Sequence, residues 1–333
     1  MQKYHLYYDS GTSNTRVYLL DENFSVVFTD KRNVGSKDST LAGSNQVLID
    51  CLKELYDEAV QQAGIGEEQI DAVYASGMIT CPAGLLEVPH LLVPITLEQF
   101  SGSLVRYHEG TRLHRDVWLI PGLKTVSDDI DLVNNVRGEE IEILGAMDEL
   151  AARYPGEKLA YILPGSHTHV MCAQDDSVTG IISNCTGELF YAIKSATIFG
   201  PILAAQTQGL DEDMLRKGRE NLKKYGFNRA LYISRAMSLF GESDELGRKS
   251  YAEGVITGGV ATALDYYCQH QWQGCKRAVL ISNEYMYRVF QVLLEDSPYI
   301  KEVLWLPISD KKSYGIEGLR KILACRARKA EQV

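Results

Sequence analysis

The sequence predicts an α/β protein of two domains, each built on a mixed sheet, and three observations carry that prediction. The chain opens with a strand at residues 5–8, a small polar turn, a strand at 17–20 and another at 25–29. The same order returns after residue 155, with strands at 159–163, 169–173 and 178–183 and the turn Pro164-Gly165-Ser166-His167-Thr168 between the first two. At 333 residues the chain is also too long for one small core and suggests two domains of about 150 residues each. The boundary that follows is 1–155 and 156–333.

The opening turn is the stretch that suggests chemistry. Asp9-Ser10-Gly11-Thr12-Ser13-Asn14-Thr15-Arg16 joins two buried strands through small polar residues, which is hairpin-turn composition. A plain turn does not need an aspartate at the end of a buried strand. A metal–phosphate site needs both features: the carboxylate holds Mg²⁺ through water, and the Gly-Thr-Ser amides and hydroxyls cradle phosphate oxygens. Taken alone, the stretch also reads as an ordinary polar hairpin.

The elements follow in order. Residues 41–63 carry Val47, Leu48, Cys51, Leu52, Leu55 and Ala59 at helical spacing, ending near Gly64. A strand at 70–75 runs into Ser76-Gly77-Met78, and a loop leaving a sheet strand is where α/β folds bind ligands. Three strands, a helix and a further strand describe a mixed sheet rather than a pure Rossmann repeat. Residues 88–94 read as extended, 116–122 as a strand and its turn, and 126–135 as an exposed acidic loop. Val136-Arg137-Gly138-Glu139-Glu140 opens a helix with the stripe Ile141, Leu144, Met147 and Leu150. Acidic residues in a first turn complement the helix dipole, the plain reading of both glutamates. In the second half, helices are expected at 212–225, 230–240, 246–267, 285–294 and 316–328, with strands at 278–281 and 303–306.

Composition narrows the partners. The chain is 45% apolar and 23% charged, as ordinary globular proteins are, with a net charge of −10. An acidic chain argues against nucleic-acid or anionic-membrane partners. The seven scattered cysteines form no CxxC pair and read as reduced thiols, and no signal-like or membrane-length apolar run is present, so a cytoplasmic protein is expected.

The two turns resemble the phosphate-1 and phosphate-2 loops of the actin–hexokinase–acetate kinase superfamily. More narrowly, the order of motifs resembles the 2-dehydro-3-deoxygalactonokinase family. The residues that carry it are Asp9 to Arg16, Ser76-Gly77-Met78, Leu119-Ile120-Pro121-Gly122-Leu123, Val136 to Glu140, Leu144-Gly145-Ala146, Leu163-Pro164-Gly165-Ser166-His167 and Thr186-Gly187-Glu188-Leu189-Phe190. The resemblance implies an actin-like (ribonuclease H-like) fold with mixed five-stranded sheets and an interdomain cleft. It also implies phosphorylation of the terminal hydroxyl of 2-dehydro-3-deoxy-D-galactonate by ATP and Mg²⁺. By the same resemblance the first domain holds the sugar site and the second the nucleotide site. Asp9 would hold the metal, and Gly11, Thr12, Ser13 and Asn14 would meet the γ-phosphate. Gly165, Ser166 and His167 would meet the phosphates from the second domain. Glu139 is in register with the Gly-Asp that related FGGY sugar kinases place at the start of this helix, which makes it the first candidate for the base and Glu140 the second. Gly77 and Met78 would line the sugar pocket. Arg137 would bind the substrate carboxylate bidentately, or else form a structural salt bridge to Glu139 or Glu142.

The chain also departs from the family pattern. Ser10 replaces an aromatic residue, Ser166-His167-Thr168-His169 stands for Thr-His-Ser-Lys, and Ser282-Asn283-Glu284 replaces a glycine loop that lies against adenosine. These departures keep two alternatives open: a kinase of another sugar or polyol, and a catalytically inactive ligand-binding relative. The sequence leaves a homodimer open.

Overall fold

The computed structural model of the chain describes residues 2–203, 208–241, 243–309 and 313–330. Two compact units are formed, Met1–Glu149 with Ser313–Val333, and Leu150–Lys312. Each is described by itself.

In the first unit Tyr4–Ser10, Thr15–Leu20 and Val26–Arg32 form an antiparallel meander. Ile70–Gly77 pairs parallel with the free side of Tyr4–Ser10, Arg115–Leu119 pairs parallel beyond it, and Val105–Glu109 closes the edge antiparallel. Successive strand residues face opposite sides of the sheet. Leu6, Tyr8, Val17, Leu19, Val73, Ala75, Val117 and Leu119 therefore share one face and bury against Leu48, Leu52, Leu55 and Ala59 of the helix Gln46–Ala63. Tyr7 and Asp9 are thrown to the other face.

The second unit repeats this plan. Lys158–Leu163, His167–Gln174 and Ser177–Cys185 form the meander, and Arg277–Ser282 and Glu302–Pro307 add in parallel on the other side of Lys158–Leu163. Its core packs Ala160, Ile162, Val170, Cys172 and Leu280 against Leu264 and Cys268 of Gly258–His270 and Val289, Phe290 and Leu293 of Glu284–Leu294. Each unit thus carries the central five-strand order of the actin-like (ribonuclease H-like) fold.

Four details differ from the sequence reading. The first sheet has six strands rather than five, because Val105–Glu109 joins it; its first four residues alternate between half-buried and exposed and its one buried residue is Glu109, which leaves little apolar signal. The helix read over 41–63 is two, Ser36–Ala42 and Gln46–Ala63, separated where Gly43 turns left-handed at φ 65°. The helix read over 246–267 is also two, Glu245–Ile256 and Gly258–His270, broken at Thr257. Lastly, the closing helix Tyr314–Ala330 belongs to the first unit, not to the second half of the chain. A Cβ on Gly145 would fall 2.0 Å from the Tyr314 carbonyl oxygen, and one on Gly318 would fall 1.9 Å from that of Ile141. Backbone thus meets backbone between this helix and Glu139–Ala151, and Lys321 Nζ fixes the contact by donating to the carbonyls of Leu144 (3.0 Å) and Gly145 (2.8 Å). No helix among the described residues is long and apolar enough to cross a membrane.

Candidate active site

The first turn is built from its base upward. Thr15 Oγ1 donates to the Val34 carbonyl at 2.8 Å, so the buried Ser10 hydroxyl, 2.9 Å from it, donates to Thr15. Gly11 closes the turn, its amide donating to the Asn14 carbonyl at 2.8 Å. The carbonyls of Gly11 and Thr12 accept from the amides of Ser36 (3.2 Å) and Lys37 (3.0 Å). Thr12 and Ser13 are exposed at the tip, and their amides enter no hydrogen bond among the described residues. The amides of Thr12 and Ser13 are therefore the open donors of this turn, whereas the Gly11 amide is already engaged.

Asp9 lies at the base of this turn, and its carboxylate accepts no hydrogen bond among the described residues. Burial pushes its pKa up, opposed by the charges of Arg16 and Lys31. Two glutamates of the Glu139–Ala151 helix answer it. Burial raises Glu139 to about 7, with a further push from the Asp9 charge. Glu142 rises to about 8, again by burial first, then by Asp9 and Glu139. Tyr7, buried beside them, shares a 2.6 Å hydrogen bond with Ser76 Oγ.

Glu140 faces elsewhere. It is fully buried, its Oε2 accepts the Gly138 amide at 2.7 Å, and its pKa is pushed well up by burial and by Glu139. That bond satisfies an amide at the start of the helix, a capping role. Of the two adjacent glutamates, Glu139 is the one facing Asp9.

Two glycines make the approach possible. Gly77 (φ 86°) ends its strand so close to the first that a Cβ on it would fall 2.5 Å from the Ser10 carbonyl oxygen. Gly138 (φ 111°) has Gly77 as its neighbour. Met78 begins the short turn Met78–Thr80 beside them. Arg137 is committed to this segment: Nη1 donates to Thr80 Oγ1 (2.7 Å), and Nη2 to the Val88 carbonyl (2.7 Å) and towards His90 Nδ1 (3.3 Å). Burial and the Arg137 charge lower His90 to about 4, so the ring is neutral.

The second turn lies in the second unit. Thr168 and Thr186 share a 2.8 Å hydroxyl bond, and the Glu188 amide donates to the Ser166 carbonyl at 2.8 Å. His167 points to Glu188, with Nε2 3.1 Å from Oε2. Beside the turn is a cavity of about 250 Å³ lined by Gly165, Thr168, Thr186, Phe190, Glu253 and Met286, among others. Of these, Glu253 and Met286 belong to no motif that sequence reasoning used. Ser282-Asn283-Glu284 forms a helix start instead of a loop, with Asn283 Oδ1 accepting the Met286 amide at 2.9 Å.

Sequence reading also missed Glu142 as a member of the Asp9 group. The available signal was its i, i+3 relation to Glu139. Asp9 offers hard carboxylate oxygen, the donor type that fits Mg²⁺. The Asp9 carboxylate, half-buried and without a hydrogen-bond donor, is the group that such a cation would satisfy.

Residues 9–304 match the sequence profile of a family described as 2-keto-3-deoxy-galactonokinase. The 2-dehydro-3-deoxygalactonokinase of Escherichia coli (strain K12) is 25% identical over 205 residues, 61% of this chain, and the match spans 65% of that enzyme's length. A Rhizobium meliloti (strain 1021) protein named as a probable 2-dehydro-3-deoxygalactonokinase is 26% identical over 223 residues, 66% of this chain and 67% of its own. A solved Sinorhizobium meliloti structure, described as that of a putative 2-dehydro-3-deoxygalactonokinase, superposes with a TM-score of 0.73 at 21% identity, covering 98% of this chain and 99% of that one. At that identity the likeness is one of fold.

Proposed function

The chain belongs to the 2-keto-3-deoxy-galactonokinase family, and from that premise we propose that it transfers the γ-phosphoryl group of ATP to the terminal hydroxyl of a 2-keto-3-deoxy sugar acid. The substrate that fits is 2-dehydro-3-deoxy-D-galactonate, giving its 6-phosphate. The observation that carries this reading is Glu139: a carboxylate in a helix first turn, beside Asp9, raised to about 7 by burial and the Asp9 charge. A base poised near neutral pH is what proton abstraction from a sugar hydroxyl requires.

In this reading Glu139 accepts the hydroxyl proton. Asp9 would hold Mg²⁺, which when bound would supply neutralisation of phosphate charge. Thr12 and Ser13 donate to the γ-phosphate, with Gly11 and Asn14 shaping their turn. Gly165, Ser166 and His167 meet the phosphates from the second unit, and the cavity beside them takes the nucleoside. Gly77 and Met78 line the acceptor side. Arg137 contributes its charge and holds the 78–90 segment in place; both its terminal nitrogens already donate within the protein. The working location is the cytoplasm.

A coupled ADP-release assay tests the proposal against 2-keto-3-deoxy acids, aldoses and polyols. Turnover confined to the sugar acids supports it, and turnover only on an aldose or polyol replaces the substrate. A second reading, a ligand-binding relative without turnover, is favoured by one observation: the helix start at Asn283 where a glycine loop is expected. Under it, no acceptor would release ADP, yet a sugar acid would still raise the melting temperature.

A further inference from the structure

Three chemically different donors meet at the second turn. The nitrogen of His167, the sulfur of Cys185 and a carboxylate oxygen of Glu188 all lie within 4.8 Å of one another, and all three residues are exposed. They come from three elements whose backbones are tied together. His167 and Cys185 are cross-strand partners at the ends of His167–Gln174 and Ser177–Cys185. Glu188 stands in the first turn of Gly187–Ala196, and its amide donates to Ser166. Asn184 Nδ2 donates to the Thr168 carbonyl at 3.1 Å, holding the same strand end. Among the described residues, Cys185 is the only exposed cysteine; the other six are buried.

We propose that His167, Cys185 and Glu188 form a binding site for a thiophilic divalent cation of the zinc class. A set of one imidazole, one thiolate and one carboxylate suits such an ion and not Mg²⁺. Donors around a tetrahedral zinc stand about 3.4–3.7 Å apart, so exposed side chains on a fixed backbone need only modest rotation to close. On binding, Cys185 loses its thiol proton to solvent and the thiolate bonds the metal. The His167 Nε2–Glu188 contact opens so that both face the ion, and the fourth position is left for water or an oxygen ligand. The consequence rests on the proposed function: a metal held at His167 removes that ring from the phosphates, so the site inhibits the kinase.

The test uses the full-length protein with Co²⁺ as a spectroscopic probe and Zn²⁺ as competitor. Expected are one bound ion, visible bands of tetrahedral Co²⁺, and a near-ultraviolet thiolate-to-metal absorption that Zn²⁺ abolishes. Cys185→Ser should lose that absorption, weaken Zn²⁺ binding at least tenfold, and keep the unfolding temperature and metal-free ADP release of the parent. Glu188→Gln should weaken binding to a lesser degree. An unchanged absorption in Cys185→Ser, or none in the parent, overturns the site. Inhibition by Zn²⁺ that nucleotide relieves and Cys185→Ser escapes supports the coupling to the phosphate turn; binding without inhibition overturns it. The absorption is read without turnover, so failure of the kinase assay on every acceptor counts against the proposed function and leaves the metal result standing.

Discussion

A Cβ on Gly138 would stand 3.3 Å from the Cα of Gly77. Through that contact the start of the Glu139–Ala151 helix rests on the end of the Ile70–Gly77 strand, whose own glycine rests on Ser10. The residues next to these contacts are Glu139 and Asp9. Glycine at 77 and 138 is therefore what lets the Glu139 and Asp9 carboxylates face each other.

Gly77→Ala should disturb both fold and chemistry. Its φ of 86° is strained for alanine, and the new methyl would clash with the Ser10 carbonyl. Such strain costs about 1–3 kcal/mol. Thermal melting should fall by several degrees and kcat should fall with it. A variant that melts and turns over like the parent would show that the close approach has no functional weight.

Glu139→Gln should collapse turnover by about 10² to 10⁴, the usual contribution of a general base, while nucleotide binding stays nearly intact. Glu140→Gln should be far milder in rate, because its oxygen serves the Gly138 amide, a bond that glutamine retains. Kinetics and nucleotide titration on both variants check the contrast. If Glu140→Gln is the damaging one, the base is misassigned.

Asp9→Asn should lose most turnover yet stay folded, melting at or above the parent temperature because a half-buried carboxylate with no hydrogen-bond donor is removed. Activity within about tenfold of the parent at saturating ATP and Mg²⁺, roughly 1.4 kcal/mol, excludes the metal role.

The metal-free protein should lose stability as pH rises from 6.5 to 8.5. Glu139 and Glu142 hold protons in the folded state up to about 7 and about 8, whereas unfolded glutamate releases them near 4.5. The folded state thus binds more protons across that window, and the unfolding free energy falls with pH. Below 6.5 the trend is opposed by His90 and His169, each lowered to about 4 by burial first, since the unfolded chain takes up protons there. Glu142→Gln should remove part of the alkaline slope, roughly 1–2 kcal/mol by pH 8.5. Chemical denaturation at three pH values measures it; parallel profiles for parent and variant would rule out the raised Glu142.

The sequence by itself determined the local patterns and their order. Alternating apolar residues around small polar turns, twice over, marked both meanders, and Asp9 and Glu139 were legible because a strand end and a helix first turn are local features. Tertiary structure decided what those features meet. Glu142 joined Asp9 only because tertiary packing sets the first turn of its helix near Tyr7 and Asp9, which alternation throws to one face of the sheet. Arg137 turned towards Thr80 and Val88, partners 57 and 49 residues away, which no spacing near it announces. The closing helix returned to the first unit because Gly145 and Gly318 let two backbones touch across some 170 residues of chain. Periodicity and turn chemistry are written in neighbouring residues; which backbones approach closely enough to bring carboxylates together is settled by long-range packing, where a missing side chain matters as much as a present one.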